Sequence, residues 1–334
     1  MTNPSTFPAL CDLHIHVGSS VAPHIMWTIA HQQGLRLPVK DYWEFVDMIT
    51  INPRKVKSLD DYLRILHEWT ERIQSSPAAI ERSVYEIIGK EFRSSHVSQI
   101  EIRFNPMKRN QQGVRDLDHI IHAAIRGMDR ARLEYGVKVG LILCLAREFD
   151  PALNQIILDK AIKYQSRGVV GIDVAGPESH TIELNQHLPT YVKMFQQAKA
   201  AGLGTTIHTG ETTHTGVAGV ESVIEHLKPD RIGHGVQAVY SVDTMKKLVD
   251  QNIVLEICPT SNLHTRAVKH LKDFDFVLGQ LMEQQVRFTI NTDGTYLCKT
   301  NLQREFALME EAEILTSDEI AKIRQEAFTA SFLS

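Results

Sequence analysis

The sequence predicts a parallel (β/α)8 barrel, a TIM barrel, with a helical insertion after the first strand. Short apolar runs recur along the 334 residues and alternate with segments of helical periodicity, a pattern typical of a closed parallel sheet ringed by helices. Four of these runs end in histidine or aspartate, as expected of strands that finish at a catalytic mouth. We therefore predict one domain over residues 1–334, because such barrels commonly run past about 250 residues as a single unit.

Eight apolar runs supply the strands of the predicted barrel. They are Leu10–His16, Gln99–Phe104, Val139–Leu145, Val169–Ala175, Thr205–His208, Arg231–His234, Ile253–Cys258 and Arg287–Thr292. The segments between them are amphipathic, for example Asp118–Tyr135 and Leu153–Tyr164, and predict the outer helices. A capping-box pattern of Thr316 and Glu319 opens a last helix within 316–334, which we expect to pack on the barrel.

The connection between the first two strands is unusually long. Roughly 80 residues separate these strands, whereas connections in barrels of this type are usually short. Ser58 and Asp61 form a capping-box pattern ahead of a helical apolar face. We predict a helical insertion over about 21–98 that covers the C-terminal mouth, where substrate walls are built. Candidates for that wall, with a place in the helical core as the alternative for each, are Trp43, Phe45, Tyr62 and Leu63.

Composition argues against several classes of protein. The net charge of −4, with 43% apolar and 23% charged residues, is ordinary for a globular enzyme and provides no basic surface for nucleic acid or anionic membranes. No signal-peptide pattern opens the chain and no run approaches the roughly 18 apolar residues of a membrane span, so we expect a cytoplasmic enzyme. The oligomeric state is not indicated. Four widely spaced cysteines predict buried free thiols rather than disulfides: Cys11, Cys144, Cys258 and Cys298.

Two histidine motifs end the first and fifth predicted strands. His14 and His16 are two residues apart, so on a strand both imidazoles point to the same face and can reach one ion in the lumen. His208 ends the fifth strand, and Glu211 follows closely enough to act on a water or a substrate nitrogen. Each motif alone has an ordinary alternative: a core or surface histidine, or a solvent-exposed loop glutamate.

Two further motifs end the sixth and eighth predicted strands. His234 stands between glycines that allow a close approach of the backbone, with a core histidine as the equal alternative. Asp293 ends the eighth strand and is followed by Gly294, which also fits an Asp-Gly turn. Together the four motifs predict three imidazoles and one carboxylate around a metal ion, with an acid/base group beside its water. We expect one ion, because the fourth strand, 169–176, has no lysine that could bridge a second.

These motifs resemble those of the adenosine deaminase family of metal-dependent amidohydrolases. The resemblance covers roughly residues 10–310, and its motifs occur in family order. They are HIH at His14–His16, EIRFNP at Glu101–Pro106, LILCLAR at Leu141–Arg147, GIDVAGPE at Gly171–Glu178, HTGE at His208–Glu211, RIGHG at Arg231–Gly235, EICPTSN at Glu256–Asn262 and NTDG at Asn291–Gly294.

The resemblance implies hydrolytic deamination, in which a metal-activated water attacks C6 of a 6-aminopurine and ammonia leaves. It implies Glu211 as the proton donor to purine N1, and His234 as the base that orients or deprotonates the water. Gly176 matches the residue whose backbone amide contacts N3. The ion would be Zn²⁺, with iron as an alternative that the same ligand types accept. The implied metal ligands are His14, His16, His208 and Asp293.

Two positions depart from the family's pattern. The family usually has an aspartate where this chain has Gly18, and that aspartate contacts the ribose 5′-hydroxyl. It usually has a second aspartate where this chain has Gly294, and that aspartate bonds N7. The chain keeps the ion site and the acid/base pair but lacks two substrate contacts, which favours deamination of a substrate altered at its 5′ side.

The expected partner is therefore a small purine molecule, with no nucleic acid and no membrane involved. Candidate substrates are aminodeoxyfutalosine, cyclic AMP and N6-substituted adenylates. Three alternatives remain open at this point: adenosine or adenine itself, another amidine or amide hydrolysed on the same scaffold, and a non-catalytic purine-binding protein on the same barrel.

Overall fold

Eight parallel strands follow one another in chain order around a single sheet. The computed structural model describes residues 9–51, 56–110, 116–182 and 185–333. The strands are β1 (Leu10–His16), β2 (Val97–Phe104), β3 (Lys138–Ala146), β4 (Val169–Ala175), β5 (Gly204–Thr209), β6 (Arg231–His234), β7 (Val254–Ile257) and β8 (Phe288–Ile290).

The sheet closes on itself where the chain beyond β8 meets β1. The His16 N–H donates to the carbonyl of Asp293 at 2.8 Å, and the Asp293 N–H donates to the carbonyl of His14 at 2.7 Å. The last strand is shorter than predicted because the Asn291 side chain, rather than the backbone, accepts the Leu13 N–H at 3.0 Å. With helices between successive strands, the predicted (β/α)8 barrel is confirmed.

Helices fill the connections between the strands. They are α1 (Pro23–Gln32), α2 (Tyr42–Met48), α3 (Leu59–Ile65), α4 (Glu71–Ile73), α5 (Pro77–Ser95), α6 (Leu117–Tyr135), α7 (Pro151–Lys163), α8 (Leu188–Ala200), α9 (Gly216–Ser222), α10 (Val242–Asp250), α11 (Pro259–His264), α12 (Asp273–Glu283), α13 (Leu302–Glu311) and α14 (Ser317–Ala330). A π-helical turn, Leu66–Thr70, joins α3 to α4. None of the described helices is long and apolar enough to cross a membrane.

The described chain between β1 and β2 contains the helices α1 to α5, joined by turns and irregular stretches such as 33–41, and the four residues 52–55 of the predicted insertion lie outside the described residues. Helix α5 packs against α6 and β2 as an ordinary member of the outer ring. The additional elements are therefore α1 to α4, and the predicted span of about 21–98 includes one barrel helix as well.

Side chains at the helix starts explain where two of these elements begin. Ser58 Oγ accepts the Asp61 N–H at the start of α3, but the Asp61 carboxylate accepts from Lys57 N–H, so only half of that predicted capping box forms. Thr316 and Glu319 form both bonds of theirs at the start of α14. Each satisfies backbone donors that the first helical turn leaves without partners.

The barrel interior is polar, whereas the layer between strands and helices is apolar. Aliphatic side chains such as Ile100, Leu143 and Ile232 are buried between sheet and helices. The lumen instead contains fully buried charged side chains, including Arg103 and Glu256. Buried charges are costly unless they are paired or bind a metal, so this interior points to a site. The four cysteines are buried and free, as predicted.

Candidate active site

Three imidazoles converge at the C-terminal end of the barrel. His14 and His16 project from the end of β1, and His208 from β5. The Nε2 atom of His16 lies 3.3 Å from Nε2 of His14 and 3.1 Å from Nε2 of His208. Tetrahedral zinc with Zn–N bonds of about 2.0–2.1 Å separates its nitrogen ligands by about 3.3–3.4 Å. The three nitrogens therefore fit a single small cation.

Asp293 brings a carboxylate to the same point. Its backbone is in the left-handed region, with φ of 57°, so the chain turns sharply out of β8. The Oδ1 atom lies 3.6 Å from Nε2 of His16 and 3.9 Å from Nε2 of His14. Oδ2 accepts hydrogen bonds from the hydroxyls of Ser261 and Tyr62. The arrangement supplies a fourth donor of the type that zinc accepts with imidazoles.

Two carboxylates behind the histidines fix the orientation of their rings. Glu256 Oε2 lies 2.8 Å from Nδ1 of His14, and an Asp173 oxygen lies 3.0 Å from Nδ1 of His208. Arg103 bridges the two carboxylates. A proton on each Nδ1 leaves Nε2 free as a lone-pair donor, which is how carboxylates commonly support metal-binding histidines. Burial lowers the pKa of His14, which favours the neutral form that binds metals.

Sequence reasoning gave no role to these three supporting residues. Asp173, Glu256 and Arg103 are fully buried. Asp173 and Glu256 each interrupt an otherwise apolar strand in a quoted motif, whereas Arg103 shares β2 with other polar residues. A charged residue inside an apolar strand is itself a signal, because its burial requires a partner. The identity of that partner depends on which strands face each other across the lumen, and the sequence does not state it.

Glu211 lies in the same pocket with its carboxyl group buried. Thr265 Oγ1 donates to Oε1 at 2.8 Å, and Oε2 lies 3.6 Å from Nε2 of His234. Burial, followed by the charges of Glu178 and Asp293, raises the pKa of Glu211 well above its ordinary value. The group is therefore suited to hold a proton near neutral pH.

His234 is buried beside the three converging histidines. Its ring centroid lies 5.0 Å from that of His14 and 5.3 Å from that of His208. The amide of Asn262 fixes the ring from the other side, 3.0 Å from Nδ1. Burial lowers the pKa of His234 to about 3. A Cβ at Gly233 would lie 3.2 Å from atoms of both His14 and His208, so glycine permits the close approach that the sequence predicted.

A pocket opens from these groups toward solvent and is lined by residues from the barrel and from the insertion. Gly18 and Gly176 line it. Gly176 has φ of 112°, and a Cβ there would lie 2.5 Å from Oε2 of Glu148. Part of the insertion covers the mouth, including Tyr62, Leu66 and His67. Of the four candidate wall residues, Tyr62 and Leu63 line the pocket, whereas Trp43 is 73% exposed and Phe45 is in the core.

Gly294 is the predicted site residue with the least open surroundings. It follows Asp293 and is packed beneath Ser19 and Tyr62, where a Cβ would lie 2.5 Å from Ser19 and 2.9 Å from the Tyr62 hydroxyl. The structure therefore brings together the four expected metal ligands, Glu211 and His234, and it lines the pocket with two of the three glycines.

Comparisons with known proteins agree with this arrangement. A family model described as adenosine deaminase matches residues 9–334. An adenosine deaminase from Haemophilus ducreyi is 33% identical over 331 residues, which cover 97% of this chain and 91% of that protein. An adenosine deaminase from Clostridium botulinum is 29% identical over 326 residues, which cover 96% of this chain and 93% of the relative.

Solved structures share the fold over almost the whole chain. An adenine deaminase from Arthrobacter aurescens superposes with a TM-score of 0.86 at 20% identity and covers 98% of this chain and 95% of its own. An amidohydrolase from Burkholderia ambifaria with bound Zn has a TM-score of 0.82 at 20% identity, covering 98% and 86%. The N6-mAMP deaminase of Arabidopsis has a TM-score of 0.79 at 21% identity, covering 98% and 94%.

Proposed function

This chain belongs to the adenosine deaminase family and is a metal-dependent hydrolytic deaminase, and from that premise we propose that its substrate is a 6-aminopurine nucleoside or nucleotide altered at the 5′ position. The observation that carries the proposal is the wall around Gly18. This residue contributes no carboxylate to the pocket, and a Cβ there would lie 3.2 Å from Nη2 of Arg109 and 3.3 Å from Leu66.

The neighbours of Gly18 suit a 5′ group that is larger or more anionic than a hydroxyl. Lys108, Arg109 and His67 line this side of the pocket, and the cationic side chains of lysine and arginine form strong hydrogen bonds to anionic oxygens. Arg109 and His67 bond Glu71, and despite its burial they hold the pKa of Glu71 well below its ordinary value. The negative charge of Glu71 is thereby balanced by its partners, so a bound anion would meet less repulsion.

The metal would be zinc, with iron as the other ion that imidazole and carboxylate ligands suit. The ligand spacing of 3.1–3.3 Å between imidazole nitrogens supports this choice. A divalent ion in such a site supplies an activated water as nucleophile near neutral pH. The residues proposed to hold the ion are His14, His16, His208 and Asp293.

The remaining residues have separate roles in the proposed reaction. Glu211 donates a proton to N1 of the purine, which makes C6 more electrophilic, and its raised pKa supports this assignment. His234 orients the water and accepts its proton, which a neutral imidazole can do. The Gly176 N–H donates to N3. The proton accepted by His234 passes to the 6-amino group, which leaves C6 as ammonia, and the remaining hydroxyl proton returns to Glu211, which yields the 6-oxopurine.

An ammonia-release screen of the zinc-loaded protein tests the proposal. It would include adenine, adenosine, adenosine monophosphate, cyclic AMP, N6-methyl adenylate, 5′-substituted 5′-deoxyadenosines and aminodeoxyfutalosine. We expect one 5′-modified compound to be deaminated with a higher kcat/KM than adenosine. The Glu211→Gln variant, prepared in the same way, is the control for contaminating deaminases. Faster turnover of adenosine than of every 5′-modified compound would disprove the substrate assignment. No ammonia from any compound, with zinc bound, would point to another substrate or a binding role.

A further inference from the structure

The N-terminal end of the barrel, opposite the pocket, has glycines where two neighbouring strands begin. Gly204 is the first residue of β5, and Gly171 is its partner in β4. Neither is among the described glycines with positive φ, so their backbone is open to other residues. A Cβ at Gly204 would overlap the ring of Phe332, and one at Gly171 would lie 3.0 Å from the same ring. The two glycines thus leave a socket between the strand starts, and the Phe332 ring occupies it.

Phe332 belongs to a short segment after α14 that is also bonded to the barrel through its backbone. The Phe332 N–H donates to Oε1 of Glu101 at 2.6 Å, and the carbonyl of Ala330 accepts from Nη1 of Arg231 at 2.8 Å. The Ser331 hydroxyl donates to the same Glu101 oxygen at 2.6 Å. Hydrogen bonds therefore hold the ring in the socket, in addition to its apolar contacts.

The ring stacks on Arg231, a buried side chain of β6 that is 1% exposed. The guanidinium carbon Cζ lies 3.6 Å from the centre of the Phe332 ring, and a desolvated arginine in this position is attracted to the face of the ring. Arg231 Nε donates to Oε1 of Glu256 at 2.7 Å, and Nη2 donates to Glu101. Each guanidinium nitrogen thus has a partner, and Phe332 covers one face of the group.

From Arg231 the contacts continue to a proposed metal ligand. Glu256 bonds Arg231 through Oε1, whereas its other oxygen, Oε2, lies 2.8 Å from Nδ1 of His14 and accepts from Arg103 at 2.9 Å. The orientation of this carboxylate fixes the direction of the His14 ring. Ion pairs are stronger where water is excluded. A ring that keeps water from Arg231 therefore strengthens the bond that orients His14.

We propose that Phe332 is a positioning residue for the metal site, because its ring closes the N-terminal end of the barrel and, through Arg231 and Glu256, holds His14 in the orientation that binds the ion. This role rests on the proposed function, since it concerns a residue proposed to hold zinc. An aliphatic side chain could also fill the socket, but an aromatic ring adds attraction to the face of Arg231.

Two leucine substitutions separate the contact with arginine from the packing of the ring. Phe332→Leu keeps an apolar side chain in the socket but removes the aromatic face, and Phe332→Ala also admits water. Phe306 is the matched control, because Cζ of Arg324 lies 4.8 Å from the centre of its ring, between α13 and α14 on the outside of the barrel. Phe306 is 2% exposed, so Phe306→Leu should lower the Tm at least as much as Phe332→Leu.

Zinc affinity, measured by competition with a chelator, is the decisive readout. A loss of packing alone lowers the Tm but leaves the affinity of the folded protein unchanged. We expect zinc to bind about tenfold more weakly to Phe332→Ala, the lower end of the effect of losing a group that supports a metal-binding histidine, with a smaller decrease in Phe332→Leu. Phe306→Leu should keep the wild-type affinity. Wild-type affinity in Phe332→Ala, with a lower Tm, would assign the ring to packing and overturn the proposal.

Kinetics at saturating zinc provide a second readout. Phe332 lies at the opposite end of the barrel from the pocket, among the residues around the strand starts. Phe332→Ala should therefore lower kcat for the substrate identified by the screen and leave its KM unchanged. A raised KM with an unchanged kcat would contradict a role at the metal site.

A double substitution tests the path through Glu256. In Glu256→Gln the group that links Arg231 to His14 has lost its charge, so the further change Phe332→Ala should weaken zinc binding much less than it does in wild type. Equal losses in the two backgrounds would refute the path and leave the proposed zinc site intact. A wild-type protein that binds no zinc would refute the proposed function as well.

Discussion

Glu211 illustrates how the chemistry of one residue follows from its surroundings. An exposed glutamate would be ionised at neutral pH and could not donate a proton. Here the carboxyl group is buried and lies near two other acidic groups, so its pKa is well above the ordinary value, although the hydrogen bond that it accepts from Thr265 lowers the pKa. The fold therefore gives Glu211 the raised pKa that its proposed role as general acid requires and that an exposed glutamate lacks.

We predict that Glu211→Gln lowers kcat/KM by about 10²–10⁴-fold, the usual contribution of a general acid, while the protein keeps its metal. The amide preserves the shape and can accept from Thr265, but it cannot transfer a proton to N1. Steady-state kinetics and elemental analysis of the same preparation measure the two quantities. An unchanged rate would remove Glu211 from the mechanism, and loss of metal would show that it supports the metal site.

The same substitution lowers activity but should raise thermal stability, and the gain in stability depends on pH. The pKa of Glu211 is raised on folding, so the folded protein keeps a proton that the unfolded chain releases. The contribution of Glu211 to the free energy of unfolding is therefore full below the ordinary glutamate pKa and is lost as pH rises through the raised value. Glu211→Gln should therefore gain thermal stability relative to wild type at about pH 8 but not at about pH 4. An equal Tm difference at both pH values would contradict the raised pKa.

At position 18, a single carboxylate should change the choice of substrate. Gly18→Asp would introduce a negative charge where we propose that the 5′ group binds, and the atoms nearest its Cβ are ends of side chains, Nη2 of Arg109 and Cδ2 of Leu66. We expect the kcat/KM ratio of a 5′-anionic substrate to adenosine to fall by about tenfold or more. Gly18→Asn has the same shape without the charge and should have a smaller effect. Equal effects of Asp and Asn would show that space, rather than charge, determines the preference.

Two capped helices, α3 and α14, differ in what their positions can affect. Helix α3 carries Tyr62 and Leu63 to the wall of the pocket, whereas α14 buries Ile320 and Ile323 against the outside of the barrel. The same kind of cap thus starts a helix that lines the pocket in one case and a helix on the outside of the barrel in the other.

We predict that removing each cap has a distinct consequence. Loss of a serine or threonine cap costs about 1 kcal/mol of helix stability. Ser58→Ala should raise KM roughly fivefold, the equivalent of that energy, because α3 must be ordered to complete the pocket. Thr316→Ala should lower the free energy of unfolding by about 1 kcal/mol without a change in KM. Kinetics and chemical denaturation of both variants decide this, and an equal KM for the two would remove α3 from the substrate wall.

Elements were easier to predict from the sequence than their contacts. Strand ends such as His16, Ala175 and His234 could be located because apolar runs stop at polar or glycine residues there. The left-handed turn at Asp293 and the reach of Tyr62 toward Gly294 could not, since both depend on packing between segments distant in the chain. For the same reason, the absence of an aspartate at 294 was visible in the sequence, but the side chains packed beside Gly294 were not.

At the scale of the whole molecule, the site joins the two ends of the barrel sheet. His14 and His16 belong to β1, and Asp293 follows β8 and makes the backbone bonds that close the sheet. An ion held by these residues would connect the first strand to the last. Metal binding and barrel closure should therefore be energetically coupled, because a ligand that binds only the folded state stabilises it.

Buried charge makes the coupling stronger. Arg231 pairs with Glu101 and Glu256, and Arg103 pairs with Glu256 and Asp173. With Asp293 beside them, this group of four carboxylates and two arginines carries two more negative than positive charges when all of its members are ionised. A divalent cation balances that difference, whereas uncompensated buried charge is strongly destabilising.

The charge balance predicts how metal removal and a carboxylate substitution combine. Chelation should lower the Tm of wild type by several degrees. Glu256→Gln should destabilise the zinc-loaded protein and weaken its metal affinity by about 10–100-fold, since His14 loses its support. In the chelated protein the same substitution removes one excess negative charge, so the decrease in Tm that it causes should be smaller than in the zinc-loaded protein. The measurement is the calorimetric Tm of wild type and of Glu256→Gln, each with and without chelator. Additive effects of chelation and substitution would show that the ion does not balance the buried carboxylates.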